Sequence, residues 1–308
     1  MSEPAVDQFA QVASGMRICF RDHGSVEDPA ILLVAGLGED QTFWGDSFVA
    51  SLVARGYRVI TMDNRDVGRS SFATTPPPAI WRQALGRPRA DGYSLAAMAR
   101  DCVGVVEHLG IERVHLVGRS MGGMIAQTIA ATAPELVLSL TSIYSTTGAA
   151  GIGQPAKSTI WKLLVTPEAK TRTDAVRTHL RITQHIVGTA YPMDDAEEAA
   201  IAARCWDRCA GDSAAGVARQ IQAIQLSGDR TEQLRTITAP TLVIHGDRDL
   251  MVAPSGGRAT ADAIPAAQHV VIPGMGHHIP GALVDPITRY ISGHADRVGA
   301  GAPEVEIS

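Results

Sequence analysis

The sequence predicts an α/β protein built on a doubly wound, mostly parallel sheet. Continuous apolar runs such as 31–35 and 114–117 recur along the chain, and such runs are typical of strands buried on both faces of a parallel sheet. Segments with helical periodicity lie between several of these runs, which indicates βαβ units. The alternation stops over about 90 residues, at 145–235, and this predicts a helical cap inserted after the sixth strand.

The elements follow in order along the chain. A hairpin of strands at 9–14 and 17–22 turns at Gly15, and six apolar runs follow at 31–35, 59–62, 114–117, 138–143, 241–244 and 270–272. The spacing of apolar residues predicts helices at 94–109, from an N-cap at Ser94 to Gly110, and at 121–133, where Pro134 ends the helix. We therefore expect a discontinuous core at 1–144 and 236–294, a cap at 145–235 and a flexible tail at 295–308.

Composition excludes several classes of protein. Of the 308 residues, 45% are hydrophobic and 19% charged, which is too apolar for a disordered chain. A formal net charge of −5 argues against nucleic acid or an anionic membrane as partner. The four cysteines form no C-x-x-C pair, and the amino-terminal residues do not resemble a signal peptide. Since the longest apolar stretch, 30–37, is far shorter than the roughly 20 residues of a membrane span, we expect a soluble cytoplasmic protein.

A G-x-S-x-G pattern, Gly118-Arg119-Ser120-Met121-Gly122, lies between a predicted strand and a predicted helix. This context suits a nucleophile elbow, in which a serine occupies a strained turn and the flanking glycines avoid collisions. The structural alternative for Ser120 is an ordinary helix N-cap.

A serine nucleophile needs an imidazole base, and the base needs a carboxylate that fixes its tautomer. Two later strands end in segments that carry these groups. The run 245–249 contains Asp247 and Asp249, and the run 273–278 contains His277 and His278. Both segments follow the carboxyl ends of strands, where open α/β sheets place their sites.

On these motifs the chain resembles the α/β-hydrolase family over nearly its whole length. The resemblance implies Ser120 as nucleophile, Asp249 as acid and His277 as base, with Asp247 and His278 as the alternatives. It also implies an oxyanion hole formed by the Met121 N–H and a second N–H from the loop Gly36-Leu37-Gly38. Leu37 is preferred as that second donor over Gly38, and no metal or cofactor is expected.

Three motifs are most similar to the aclacinomycin methylesterase subgroup of that family: Asp63-Asn64-Arg65-Asp66-Val67-Gly68-Arg69-Ser70-Ser71, 227–232 and 272–278. The resemblance implies hydrolysis of a carboxylic ester of an apolar small molecule through an acyl-enzyme. A lactonase, a thioesterase or a cofactor-free perhydrolase would use the same triad. A ligand-sensing receptor of the same fold is the alternative from another class.

Two other patterns favour structural roles. Gly36-Leu37-Gly38 followed by Asp63 superficially matches a dinucleotide fingerprint, but Gln41 stands where the fingerprint needs a small residue. Cys205 and Cys209 have no histidine or acidic partner at ligand spacing, so packing is favoured over metal binding.

The aromatic residues of the predicted cap are candidates for an apolar substrate pocket. We expect Trp161, Tyr191 and Trp206 to line it, although packing of the cap on the core would explain them as well. The oligomeric state is not predictable from these features.

Overall fold

The computed structural model describes residues 5–299. Within them, eight strands form one sheet in the order β1-β2-β4-β3-β5-β6-β7-β8. β2 pairs antiparallel with β1 and β4, and all other neighbours are parallel. The predicted fold class is confirmed. The strands are β1 (Gln8–Gln11), β2 (Arg17–His23), β3 (Ala30–Val34), β4 (Arg58–Met62), β5 (Val114–Arg119), β6 (Val137–Ile143), β7 (Thr241–Gly246) and β8 (Gln268–Ile272).

Helices cover both faces of the sheet, and further helices lie between β6 and β7. Along the described chain the α-helices are α1 (Asp46–Val53), α2 (Ile80–Ala84), α3 (Leu95–His108), α4 (Met121–Thr132), α5 (Lys157–Leu164), α6 (Arg172–Ile186), α7 (Asp195–Arg208), α8 (Ser213–Ser227), α9 (Thr231–Leu234), α10 (Ser255–Ala263) and α11 (Gly281–Gly299). We call α5 to α9 the cap helices. None of the helices within residues 5–299 combines the length and the apolar composition of a membrane span.

The core consists of two apolar layers, one on each face of the sheet. In β3, Leu32 and Val34 point into the layer formed with α3 and α4, whereas Ile31 and Leu33 point into the layer formed with α1 and α11. Successive side chains of a strand alternate between faces, so a strand covered on both sides must be apolar throughout. This requirement explains the continuous apolar runs.

The carboxyl-terminal helix extends further than the sequence predicts. α11 continues through Gly299, and Ala295, where the predicted tail begins, is buried in the layer beside α1. Apolar contacts of this small residue stabilise the last turns of the helix. The prediction of a tail starting at residue 295 is therefore wrong. The rest of the predicted tail, 300–308, lies outside the described residues.

An arginine at the end of a cap helix joins the cap helices to the core. Arg208, the last residue of α7, forms ion pairs of 2.7 to 2.8 Å with Asp7, Asp40 and Asp63. Burial and the neighbouring Asp40 carboxylate raise the pKa of Asp63 to about 6, despite the opposing charge of Arg208. Asp63, the residue that a dinucleotide site would use for ribose, is thus engaged in holding the cap helices.

The amino-terminal end of α3 shows how the cap helices complete the core. Ser94 occupies the predicted N-cap position, but its side chain makes no capping hydrogen bond. Instead, the Leu95 N–H donates to the Ser227 hydroxyl of α8 at 2.9 Å. A residue 132 positions away therefore satisfies a donor that the local sequence leaves open.

Candidate active site

Ser120 lies on a sharp turn between β5 and α4. Its φ of 54° and ψ of −123° fall in a region that non-glycine residues rarely adopt. A Cβ at Gly118 would lie 2.2 Å from the Gly122 carbonyl oxygen, and a Cβ at Gly122 would lie 2.0 Å from that of Val34. Both glycines of the pattern are therefore required by backbone packing, because they let α4 lie close to both β5 and β3.

The turn brings Ser120 beside the two residues that the sequence predicts from distant loops. Ser120 Oγ lies 2.9 Å from His277 Nε2, and His277 Nδ1 lies 2.7 Å from Asp249 Oδ2. Asp249 follows β7 and His277 follows β8, so all three side chains project from the carboxyl-terminal edge of the sheet. The three predicted residues form one continuous hydrogen-bonded chain.

The carboxylate of Asp249 is buried and fully engaged. Its Oδ1 accepts hydrogen bonds of 2.8 Å from the Met251 and Val252 N–H groups, while Oδ2 faces His277. Burial alone raises the pKa of Asp249, but the charge of His277 and hydrogen bonds from His245 and His277 outweigh it and lower the pKa to about 2. Asp249 is therefore ionised at neutral pH.

The two alternative triad residues lie elsewhere. Asp247 is partly exposed and accepts a 2.6 Å hydrogen bond from the Gly274 N–H, so it connects the loops after β7 and β8. His278 points toward the cap helices, where its Nε2 lies 3.1 Å from Glu198 of α7. Neither side chain is in the hydrogen-bonded chain of Ser120.

A second histidine, His245, contacts the carboxylate of Asp249. The His245 side chain is fully buried. Its Nε2 lies 2.9 Å from the Val252 carbonyl oxygen and 3.3 Å from Asp249 Oδ2. Because Nε2 faces two acceptors, it carries the proton of the neutral ring. No motif in the sequence marks this residue, although it opens the same five-residue run as Asp249.

The loop Gly36-Leu37-Gly38, which we call the oxyanion loop after its predicted role, leaves the Leu37 N–H available. The Gly38 N–H donates to Gln220 Oε1 of α8 at 2.8 Å, so this donor is engaged. Among the described residues, the N–H groups of Leu37 and Met121 donate to no protein acceptor. Met121 begins α4, and the positive end of the helix dipole favours a negative charge there.

An ion pair connects the oxyanion loop with the nucleophile turn. One oxygen of Glu39 accepts hydrogen bonds of 2.7 Å from the Gly36 N–H and from Arg119 Nε. The Arg119 side chain is buried beneath the indole of Trp44, and although burial opposes its charge, the Glu39 carboxylate raises its pKa. The sequence gives no local signal for this contact, because its partners lie 80 residues apart.

An apolar cavity opens between the oxyanion loop and the cap helices. Its volume is about 210 Å³, and it includes Gly38 of the oxyanion loop and Trp206 of α7. The other lining residues are Phe43, Val67, Gly68, Ala169, Ala175, His179, Ala202, Cys205, Cys209, Ser213 and Val217. Cys205 and Cys209 thus pack beside an apolar space.

Two of the three aromatic residues predicted for a pocket lie away from this cavity. Trp161 is 67% exposed on α5, on the outer surface of the cap helices. Tyr191 packs against the apolar layer formed with α1 and α11. Aromatic composition alone does not reveal which residues of the cap face a cavity. Of the three aromatic residues, only Trp206 lines this one.

Comparison with known proteins agrees with the fold. Residues 29–280 match the model of the α/β hydrolase fold family, and the chain belongs to this family. Rhodomycin D methylesterase DauP of Streptomyces sp. (strain C5) is 29% identical over 297 residues, 88% of this chain and 92% of the relative. Rhodomycin D methylesterase DnrP of Streptomyces peucetius is 28% identical with the same coverage. The predicted resemblance to this esterase subgroup is thus confirmed.

Solved structures show the same fold. The esterase RhEst1 from Rhodococcus sp. ECU1013 superposes with a TM-score of 0.71 at 22% identity, over 96% of this chain and 98% of that chain. The enol-lactonase from Burkholderia xenovorans LB400 superposes with a TM-score of 0.70 at 23% identity, over 94% of this chain and its whole length. The prediction of an ester hydrolase agrees with the names of the methylesterase relatives.

Proposed function

We propose that this protein is a serine esterase that hydrolyses carboxylic esters of apolar small molecules through an acyl-enzyme. The observation that carries the proposal is the unbroken chain from Asp249 through His277 to Ser120, with distances of 2.7 and 2.9 Å. A nucleophile, a base and an orienting carboxylate in this geometry define acyl-transfer chemistry. The methylesterase names of two relatives that cover most of the chain support the ester as the reacting group.

Each step uses a contact already described. Asp249 accepts a hydrogen bond from His277 Nδ1–H, which leaves Nε2 unprotonated and able to take the Ser120 proton as Oγ attacks the ester carbonyl. The Leu37 and Met121 N–H groups hold the developing oxyanion, and each such donor contributes about 3 kcal/mol in hydrolases of this kind. His277 then gives its proton to the departing alcohol. It next activates a water that releases the acid and restores Ser120.

The cavity favours an apolar portion of the substrate. It begins at the oxyanion loop and is lined mainly by apolar side chains of the cap helices. His179 is the one ionisable imidazole in its lining, and its Nε2 is engaged with Glu198 at 2.6 Å. We propose that one apolar group of the ester, acyl or alkoxy, lies in this cavity while its carbonyl lies over Ser120.

Turnover of a panel of p-nitrophenyl esters with graded acyl length tests the proposal. We expect steady multiple turnover by the wild type and a loss of at least 1,000-fold in Ser120→Ala. A fluorophosphonate probe should label the wild type and the matched control Ser158→Ala, whose serine is exposed on α5, but not Ser120→Ala. Full activity of Ser120→Ala would refute the mechanism.

The same panel separates the alternatives. A faster reaction with lactones or thioesters than with matched linear esters would reassign the substrate while leaving the triad in place. Binding of an ester without turnover would favour a receptor. Val217→Phe should narrow the cavity and lower kcat/KM for long acyl chains by at least tenfold more than for acetate, because Val217 lines the cavity directly beside Gly38.

A further inference from the structure

The first cap helix, α5, has its apolar and polar sides reversed relative to an ordinary surface helix. Its one buried residue is the polar Thr159. Ile160, Trp161, Leu163 and Leu164 are 43%, 67%, 46% and 71% exposed, and Val165 beside them is 48% exposed. A helix on a protein surface normally turns its apolar side inward, and a contiguous exposed apolar patch marks an interaction site.

Polar contacts hold α5 in this orientation. The Thr159 hydroxyl donates to the Leu250 carbonyl oxygen at 2.9 Å and lies 3.0 Å from His185 Nε2 of α6. The Ala156 N–H, just before the helix, donates to the same carbonyl at 2.9 Å. Leu250 directly follows the triad acid, so α5 is anchored beside the catalytic loop with its apolar side outward.

The surroundings of the patch are basic, although the whole chain is acidic. All three lysines of the sequence, Lys157, Lys162 and Lys170, lie in or just after α5. Over 157–181, six basic residues and two acidic ones give a formal net charge of +4, against −5 for the chain. An ion pair with Asp207 of α7 offsets one of these charges, that of Arg172.

A groove beside the helix concentrates this charge. It has a volume of about 280 Å³, and its lining includes Lys170, Arg177 and Arg181, with Glu168 and Asp174 as its acidic members. Arg181 also donates to the Thr166 hydroxyl, which connects α6 to the end of α5. Exposed apolar side chains and a cationic groove thus share one surface.

We propose that α5 and the adjacent groove form a docking surface for an anionic lipid bilayer. The apolar side chains would enter the boundary between headgroups and acyl chains, and the basic residues would contact the anionic headgroups, as expected for a basic amphipathic helix. A second copy of the chain fits less well, because a symmetric contact would bring two surfaces of like charge together. The proposal departs from the expectation based on net charge, since the local charge has the opposite sign.

Cosedimentation with vesicles tests this surface without depending on catalysis. The full chain would be mixed with one of two kinds of vesicle. The neutral vesicles contain phosphatidylcholine alone, and in the anionic vesicles about one lipid in three is phosphatidylglycerol. We expect at least tenfold tighter partitioning onto the anionic vesicles at low salt, with most of it lost in about 0.5 M salt. Lys157→Gln with Lys162→Gln should weaken partitioning by about twentyfold, and Trp161→Gln with Leu164→Gln should reduce it to the level seen with neutral vesicles.

Matched controls distinguish the patch from general surface effects. Arg100→Gln and Tyr290→Gln remove an exposed charge and an exposed aromatic side chain from α3 and α11, and should bind vesicles like the wild type. All variants should unfold at the wild-type temperature, because the replaced side chains are largely exposed. Failure of the wild type to bind either vesicle, equal binding to both, or a dimer in sedimentation velocity that the Trp161→Gln and Leu164→Gln variant abolishes would overturn the proposal.

Discussion

Replacing Asp249 by asparagine should inactivate the enzyme through the tautomer of His277. The two N–H groups that point at Asp249 Oδ1, from Met251 and Val252, each lie at 2.8 Å and must face an oxygen. In asparagine the amide nitrogen therefore takes the position of Oδ2 and donates toward His277 Nδ1. The proton of the neutral ring is then held on Nε2, which can no longer accept the proton of Ser120.

The size of the expected fall in kcat follows from the loss of His277 as general base. A histidine in the wrong tautomer lowers kcat by about 10⁴, which corresponds to about 5.5 kcal/mol of transition-state stabilisation. KM should change little, because Asp249 is buried behind His277 and does not line the cavity. Initial rates with a p-nitrophenyl ester over a range of concentrations would separate the two parameters.

Asp247→Asn is the matched control for this substitution. Its carboxylate accepts from the Gly274 N–H, and an asparagine oxygen accepts the same hydrogen bond, so kcat should fall less than threefold. A loss of less than tenfold in Asp249→Asn, or an equal loss in Asp247→Asn, would refute the assignment of the acid.

Three further outcomes follow from the site. In Glu39→Gln an amide oxygen can accept both hydrogen bonds of Glu39 but the charge that faces Arg119 is lost, so kcat should fall about tenfold in ester hydrolysis with little change in KM. Because the folded-state pKa of Asp249 is about 2, below its ordinary 3.8, this carboxylate stabilises the fold above pH 4 by about 2 kcal/mol, and the contribution disappears as the pH falls through 2. Chemical denaturation at pH 5 and pH 2 should therefore show a smaller drop in unfolding free energy for Asp249→Asn than for the wild type. Gly122→Ala should lower Tm by more than 10 °C or prevent folding, whereas Gly293→Ala, in the open on α11, should leave Tm unchanged or slightly raised, as measured by circular dichroism.

The strands and the turn of Ser120 were predictable because each depends on local sequence. A continuous apolar run indicates a strand covered on both faces, and the parallel sheet then brings all strand ends to one edge. Asp249 and His277 lie directly after such strands, so their proximity to Ser120 follows from the topology.

The contacts that were missed join residues far apart in the chain. The pairing of Glu39 with Arg119 depends on how two loops meet, and neither residue carries a local signal for it. The position of Trp161 could not be predicted for a related reason. Whether a cap helix points its aromatic residue inward depends on the polar contacts of Thr159, which form with the separate loop of Leu250.

The cap helices also contact the oxyanion loop and the residues just after it. Gln220 of α8 accepts from the Gly38 N–H and donates to the Arg65 carbonyl oxygen, both at 2.8 Å. Arg208 of α7 pairs with Asp40, two residues further along the chain. Because contacts from two cap helices hold the loop just after Leu37, a shift of these helices would displace the Leu37 N–H. We therefore expect cap position and oxyanion stabilisation to be coupled, so that changes in α7 or α8 alter kcat as well as the choice of substrate.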